Sequence, residues 1–134
     1  MSGEAVCAGF NAAPFYRLLG MTASSERPGE ARVVLPFRAE LVQQYGGVHG
    51  GALLSIADSA INVALATTFE ADEVTATIDI AMSFLAPAGQ RDLEARASIV
   101  RRGRRIAFVE CTLIAGDEPV ARVHGTCYIS RRKP

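Results

Sequence analysis

From Gln43 to Asn62 the chain reads QQYGGVHGGALLSIADSAIN, and two features of that stretch have the makings of a reaction site. One is the glycine pair Gly50-Gly51 beside His49. The other is Asp58, the one charged residue in an apolar run that continues to Phe69. If the run is a helix starting near Gly50, its first N–H groups lack intrahelical acceptors and lie at the positive end of the dipole. With no side chain in the way, they can approach a carbonyl or a developing oxyanion. A glycine pair is equally what a tight turn requires. Asp58 is open to two readings as well: a nucleophile or base, or a carboxylate satisfied by Ser55, Ser59 or Asn62. No Lys or Arg lies between Arg38 and Arg91 to serve as a local cation, and an unmatched buried carboxylate is expensive.

Spacing links the two features. Asp58 lies eight residues after Gly50, about 12 Å along a helix axis. A base and an oxyanion donor that serve one reacting group must both be about 3 Å from it. If both act on the same bond, Asp58 has to come from a neighbouring copy, which predicts at least a homodimer with the site at the interface.

The element that must position these groups is apolar nearly all round. Gly51, Ser55, Asp58, Ser59, Asn62 and Ala66 form one narrow stripe at spacings of three or four, and Leu53, Leu54, Ile56, Ile61, Val63 and Leu65 cover the rest. The run is about long enough to span a bilayer, but a lipid-facing span has no use for a stripe centred on a carboxylate. An enclosed core helix fits better. Around it, strands are expected at 21–27 and 31–35, joined through Pro28-Gly29, and at 74–85, 93–102, 106–115 and 120–130. Leu93, Ala95, Ala97 and Ile99 alternate with Glu94, Arg96 and Ser98, the period of a half-buried strand. The order is a hairpin, a long helix and then a meander of about four strands. It calls for an α+β architecture in which a curved antiparallel sheet of five to six strands wraps one long central α-helix. Residues 10–19 suit a short helix or turn ended by Gly20. Residues 1–9 are expected to be flexible and residues 131–133 to form a mobile tail.

With 134 residues the chain suits one domain, and 14 basic residues balance 14 acidic ones, so no overall charge footprint favours nucleic acid. Cys7, Cys111 and Cys127 lack zinc or redox spacing and read as reduced thiols of a cytoplasmic protein. There is no G-x-S-x-G, H-E-x-x-H or P-loop motif. No cofactor, metal, membrane or nucleic-acid partner is expected.

Gln43-Gln44-Tyr45-Gly46-Gly47-Val48-His49-Gly50-Gly51 followed by Asp58 resembles the PaaI-like (phenylacetate-pathway-type) hotdog-fold acyl-CoA thioesterases. The likeness extends through ATIDIAMSFLAPA, VRRGRRIAFVE and VARVHGTCYI, nearly the whole chain. It implies a metal-free thioesterase that forms homodimers, often paired into homotetramers. By position it implies that the Gly50 N–H polarises the thioester carbonyl, with Gly51 beside it. Asp58 of the opposite subunit would be nucleophile or general base, Gln43 would hold the carbonyl or the attacking water, and His49 would shape the site. Asn62, Thr77 and Ser59 would be polar neighbours of the acid. Where other branches use Glu, the acid here is Asp.

Met82 and Phe84 can line an acyl pocket or simply belong to the core. The Arg101, Arg102, Arg104, Arg105 cluster, with Arg102 and Arg104 as substrate-binding candidates, can grip the phosphates of coenzyme A or be a solvated hairpin tip. His124 reads as structural. Two rival functions share the same scaffold: an enoyl or β-hydroxyacyl thioester hydratase-dehydratase, which would need a His and an acid for proton transfer, and a non-catalytic acyl-CoA-binding module.

Overall fold

The computed structural model describes residues 1–134. Two short helices, α1 (Gly3–Asn11) and α2 (Pro14–Leu19), lead into a hairpin of β1 (Thr22–Ser24) and β2 (Glu30–Leu35). The central helix α3 (Gly50–Ala66) follows, and then β3 (Glu73–Phe84), β4 (Leu93–Arg102), β5 (Ile106–Ala115) and β6 (Glu118–Arg131). All strand pairs are antiparallel in one six-stranded sheet of order β1-β2-β4-β5-β6-β3.

The sheet curls around α3 as the apolar pattern demands. Ala52, Leu53, Ile56, Ala57, Ala60, Ile61, Val63, Ala64 and Leu65 are buried against it. Leu93, Ala95 and Ala97 of β4 meet them from the sheet. The stripe of Gly51, Leu54, Ser55, Asp58, Asn62 and Ala66 is the face that the sheet leaves uncovered. At Gly125 of β6 the helix comes so close that an added Cβ would lie 2.9 Å from Ile61 Cδ1, so any larger residue there requires the Ile61 side chain to shift. No helix is long and apolar enough to cross a membrane.

Three expectations need correction. The last four strands are not a meander, because β3 pairs with β6 and β4 with β2. Helix α3 leaves the β2 side and crosses the sheet face, delivering β3 to the far edge. The N-terminal segment is not a fraying tail: α1 begins at Gly3, with the Ser2 side chain accepting the Ala5 N–H at 3.2 Å and Cys7 buried. Nor is the segment after Ser130 free, since Arg131 closes β6 and donates to Asp72 (2.6 Å) and Glu70 (2.7 Å).

The N-terminal helices are tied down at two points, one of them the Arg38 guanidinium, which donates to the Leu18 carbonyl of α2 at 2.8 Å. The Asn11 amide donates to the Ala23 carbonyl at 3.0 Å and accepts the Ala23 N–H at 2.7 Å. Gly20, left-handed at φ 78°, ends α2 as its position predicts.

Candidate active site

The N-terminus of α3 has a sparing set of hydrogen bonds. His49 is the N-cap, and its Nδ1 accepts the Gly51 N–H at 2.7 Å. In the neutral ring the proton is therefore on Nε2. Ala52 and Leu53 donate to the His49 carbonyl, and the His49 N–H goes to Leu41. That leaves the Gly50 N–H alone without an acceptor in this turn. The preceding loop faces the same opening. Gln43 Oε1 accepts the Tyr45 N–H, which leaves its Nε2 free as a donor. Gln43, Gly47, Gly50 and Phe84 line a cavity of about 710 Å³, and the Phe84 ring stands 3.3 Å from where a Gly50 Cβ would be.

Asp58 lies two turns further along α3. Thr77 Oγ1 donates to its Oδ1 at 2.8 Å and Asn62 Nδ2 donates to the same oxygen at 3.0 Å. Asn62 also reaches the Asp58 carbonyl (2.8 Å) and Thr77 Oγ1 (3.1 Å). Both side-chain donors converge on Oδ1, so Oδ2 has no protein partner and is the oxygen available to a water or substrate. A β-bulge at Ile78 breaks the β3–β6 register just after Thr77, the kind of irregularity that re-aims a side chain. Ser55 instead bonds the Gly51 carbonyl, and Ser59 contacts Met21 Sδ at 3.7 Å.

A cavity of about 830 Å³ opens on Asp58, walled by Phe10, Phe15, Tyr16, Leu54 and Ile80 with Ser59, Asn62, Thr75 and Thr77. Tyr16 OH and Thr75 Oγ1 are buried there without hydrogen-bond partners. Burial pushes the Tyr16 phenol up to about 12, the Ser59 hydroxyl works against that shift, and the Asp58 charge adds to it.

The residues singled out from sequence thus fall into two groups in one chain: Gln43, Gly50 and Phe84 around one opening, with the hydrogen-bonded His49 and Gly51 next to Gly50 in the chain, and Asp58, Ser59, Asn62 and Thr77 around another. Met82 packs against the core and lines neither cavity. Arg102 is committed to Glu73 at 2.6 Å and stacks over Phe69, although β5 and β6 separate β4 from β3 in the sheet. Arg104 lines a separate small cavity with Arg105, Tyr128 and Arg131. His124 is exposed opposite Glu110. Phe10, Phe15, Tyr16, Thr75 and Ile80 went unnoticed in the sequence. The Thr75/Thr77 alternation was a usable signal, whereas nothing local marks Tyr16. No cluster of three or more His, Cys, Asp or Glu side chains is placed to hold a metal.

Residues 45–121 match the model of the thioesterase superfamily. Among solved structures, the TT0310 protein of Thermus thermophilus is 32% identical, with 87% of this chain and 97% of that chain covered and a TM-score of 0.79. A point mutant of the phenylacetic acid degradation protein PaaI from the same organism is also 32% identical over 87% of this chain and 98% of that one, at TM-score 0.79. A thioesterase family protein of Silicibacter pomeroyi is 25% identical over 96% and 98% of the two chains, with a TM-score of 0.89. A six-stranded sheet wrapped on one helix, a free N–H at that helix's start and a match over more than half the chain lead to one assignment: the chain belongs to the hotdog-fold thioesterase superfamily and is closely related to its PaaI-like members.

Proposed function

We propose that the protein is an acyl-CoA thioesterase whose site is shared between two copies of the chain. It hydrolyses a thioester to free acid and coenzyme A. The observation that carries this reading is the separation of the two half-sites: the unclaimed Gly50 N–H and the Asp58 carboxylate open into different cavities of one chain. Gly50 polarises the thioester oxygen at the positive end of α3. Asp58 of the second copy, held through Oδ1, uses Oδ2 to activate water or to attack the carbonyl. Gln43 Nε2 holds the carbonyl or the water. A thioester is already activated, so a carboxylate and one or two donors suffice.

The edge strand β3 supports the assembly. It runs for 12 residues with only β6 beside it. It bears no Lys, Arg or Pro to discourage pairing. A β3–β3 pairing about a two-fold axis extends the sheet and brings the start of one α3 toward Asp58 of the other. The likeness to a phenylacetic acid degradation protein supports an aromatic acyl group among the candidates.

The test is thiol release from a panel of short, medium and aromatic acyl-CoAs, with Asp58→Asn beside the native chain. Mixing Asp58→Asn with Gln43→Ala after unfolding and refolding together should restore about a quarter of native activity. Half of the dimers are then hybrids and one of the two sites in each is intact. No thiol release from any substrate, hydration of crotonyl-CoA in its place, or no recovery on mixing two inactive variants would overturn the reading.

A further inference from the structure

The cavity beside Asp58 does not end there. Phe10, Asn62 and Thr75 are shared between it and a second cavity of about 850 Å³ that continues beneath α1. Along the floor, Asp58, Asn62 and Ala66 follow one face of α3 at spacings of four, about 12 Å from the first to the last. Phe69 and Val74 extend the floor past the helix end, and Val6, Phe10 and Ala13 form the roof. Polar groups stand at the junction of the two cavities, Asn62 and Thr75, and again at the far mouth, where Glu70 and Arg132 meet solvent and Glu73 pairs with Arg102. The roof is fixed in place by the two-bond pairing of Asn11 with Ala23.

We propose that these adjoining cavities form one channel for the acyl part of the substrate, and that this part is a linear chain of medium to long length. The inference rests on the acyl-CoA thioesterase reading and deepens it. Three observations select an alkyl chain as the occupant: the channel begins at the carboxylate that would attack the thioester, its second section is lined mostly by the apolar side chains of Val6, Ala13, Ala66, Phe69 and Val74, and the two sections share Phe10, Asn62 and Thr75 as common walls. A ring can sit in the first cavity, but only a chain reaches into the second. The polar far mouth marks where the chain stops gaining from burial.

Two measurements test this on the full-length protein. The first is kcat/KM for butyryl-, octanoyl-, dodecanoyl- and phenylacetyl-CoA. The second is calorimetric affinity for the non-hydrolysable butyl and dodecyl thioethers of coenzyme A. Burying methylenes should raise both quantities by at least about tenfold from the short chain to dodecyl. Ala66→Phe, which blocks the floor, should lower the dodecanoyl-to-butyryl ratio by roughly tenfold. Val6→Phe, entering from the roof, should do the same and serves if the first variant does not fold. Equal affinity for butyl and dodecyl thioethers, or an equal effect of both variants on every chain length, would overturn the channel. If affinity rises with length and falls in Ala66→Phe while no thioester is hydrolysed, the channel stands and the hydrolase reading fails.

Discussion

Replacing Gly50 by proline removes the single unclaimed N–H at the start of α3 while asking little else of the fold. Gly50 is the first helical residue, where the N–H has no intrahelical partner and proline is well tolerated. His49 before it already has φ −63° and ψ 138°, in the region that a following proline demands. Its Cβ would lie 3.3 Å from the edge of the Phe84 ring, and Phe84 is 62% exposed and can swing aside. The stability cost is therefore small, and the melting midpoint should move by only a few degrees. Activity has no such protection. Loss of one oxyanion donor costs about 2.7–4 kcal/mol, or a factor of about 100–1000 in kcat. The control is Gly50→Ala, which adds a similar Cβ against Phe84 but keeps the N–H and should stay within a few-fold of native. The assay is thiol release under saturating acyl-CoA, beside a thermal melt of each variant. A folded Gly50→Pro protein with kcat within a few-fold of native would refute the reasoning, as would Gly50→Ala losing as much as proline does.

Thr77→Ala removes a hydrogen bond to Asp58 Oδ1, a charge-assisted contact worth about 1.5–3 kcal/mol. It should lower kcat by one to two orders of magnitude with KM little changed, and steady-state kinetics on one good substrate would check this. Tyr16→Phe deletes a buried hydroxyl that has no partner, so urea unfolding should show it neutral or more stable by about 1 kcal/mol. A clear loss of stability would mean that the hydroxyl is satisfied in solution. Glu94 sits between Arg32 and Arg96; burial would raise its pKa, but the two guanidiniums outweigh that and hold it lower than usual. Its contribution is complete above the ordinary glutamate value of about 4.3 and is lost as pH falls through the depressed one. The stability gap between the native chain and Glu94→Gln should thus be level from neutral pH to about 5 and shrink only in more acidic solution; a gap that shrinks above pH 5 would contradict the ion-pair geometry.

Much of the fold could be read before any coordinates, for a local reason. The apolar circumference of α3, the alternation from Leu93 to Ile99 and the Pro28-Gly29 turn are each set by residues a few positions apart. The pairing of β3 with β6 is not of that kind: Thr77 meets Cys127 across 50 residues, and no neighbour of either announces it. The site divides in the same way. Gly50 and Asp58 stood out because a bare helix start and a lone carboxylate conflict with their surroundings. Thr77 was singled out through the likeness to a family; its alternation with Thr75 marks the pair, but a bulge one residue further on settles where it points. Tyr16 reaches the Asp58 cavity from α2, and nothing near it in sequence is unusual. Arg102 misled because a run of arginines cannot show which of them already has an acidic partner in Glu73.

The Asn11 side chain also bears on how many copies can join. Its amide occupies the outward-facing N–H and carbonyl of Ala23, the middle residue of three-residue β1, much as one residue of an added strand would. One margin of the sheet is thereby closed and the other, β3, is open. A sheet open on both sides can recruit copies without limit and grow into a fibre. With a single open margin, the proposed β3–β3 pairing would stop at the second copy: the chain would be monovalent for sheet extension, and an amide near its N-terminus would make it so.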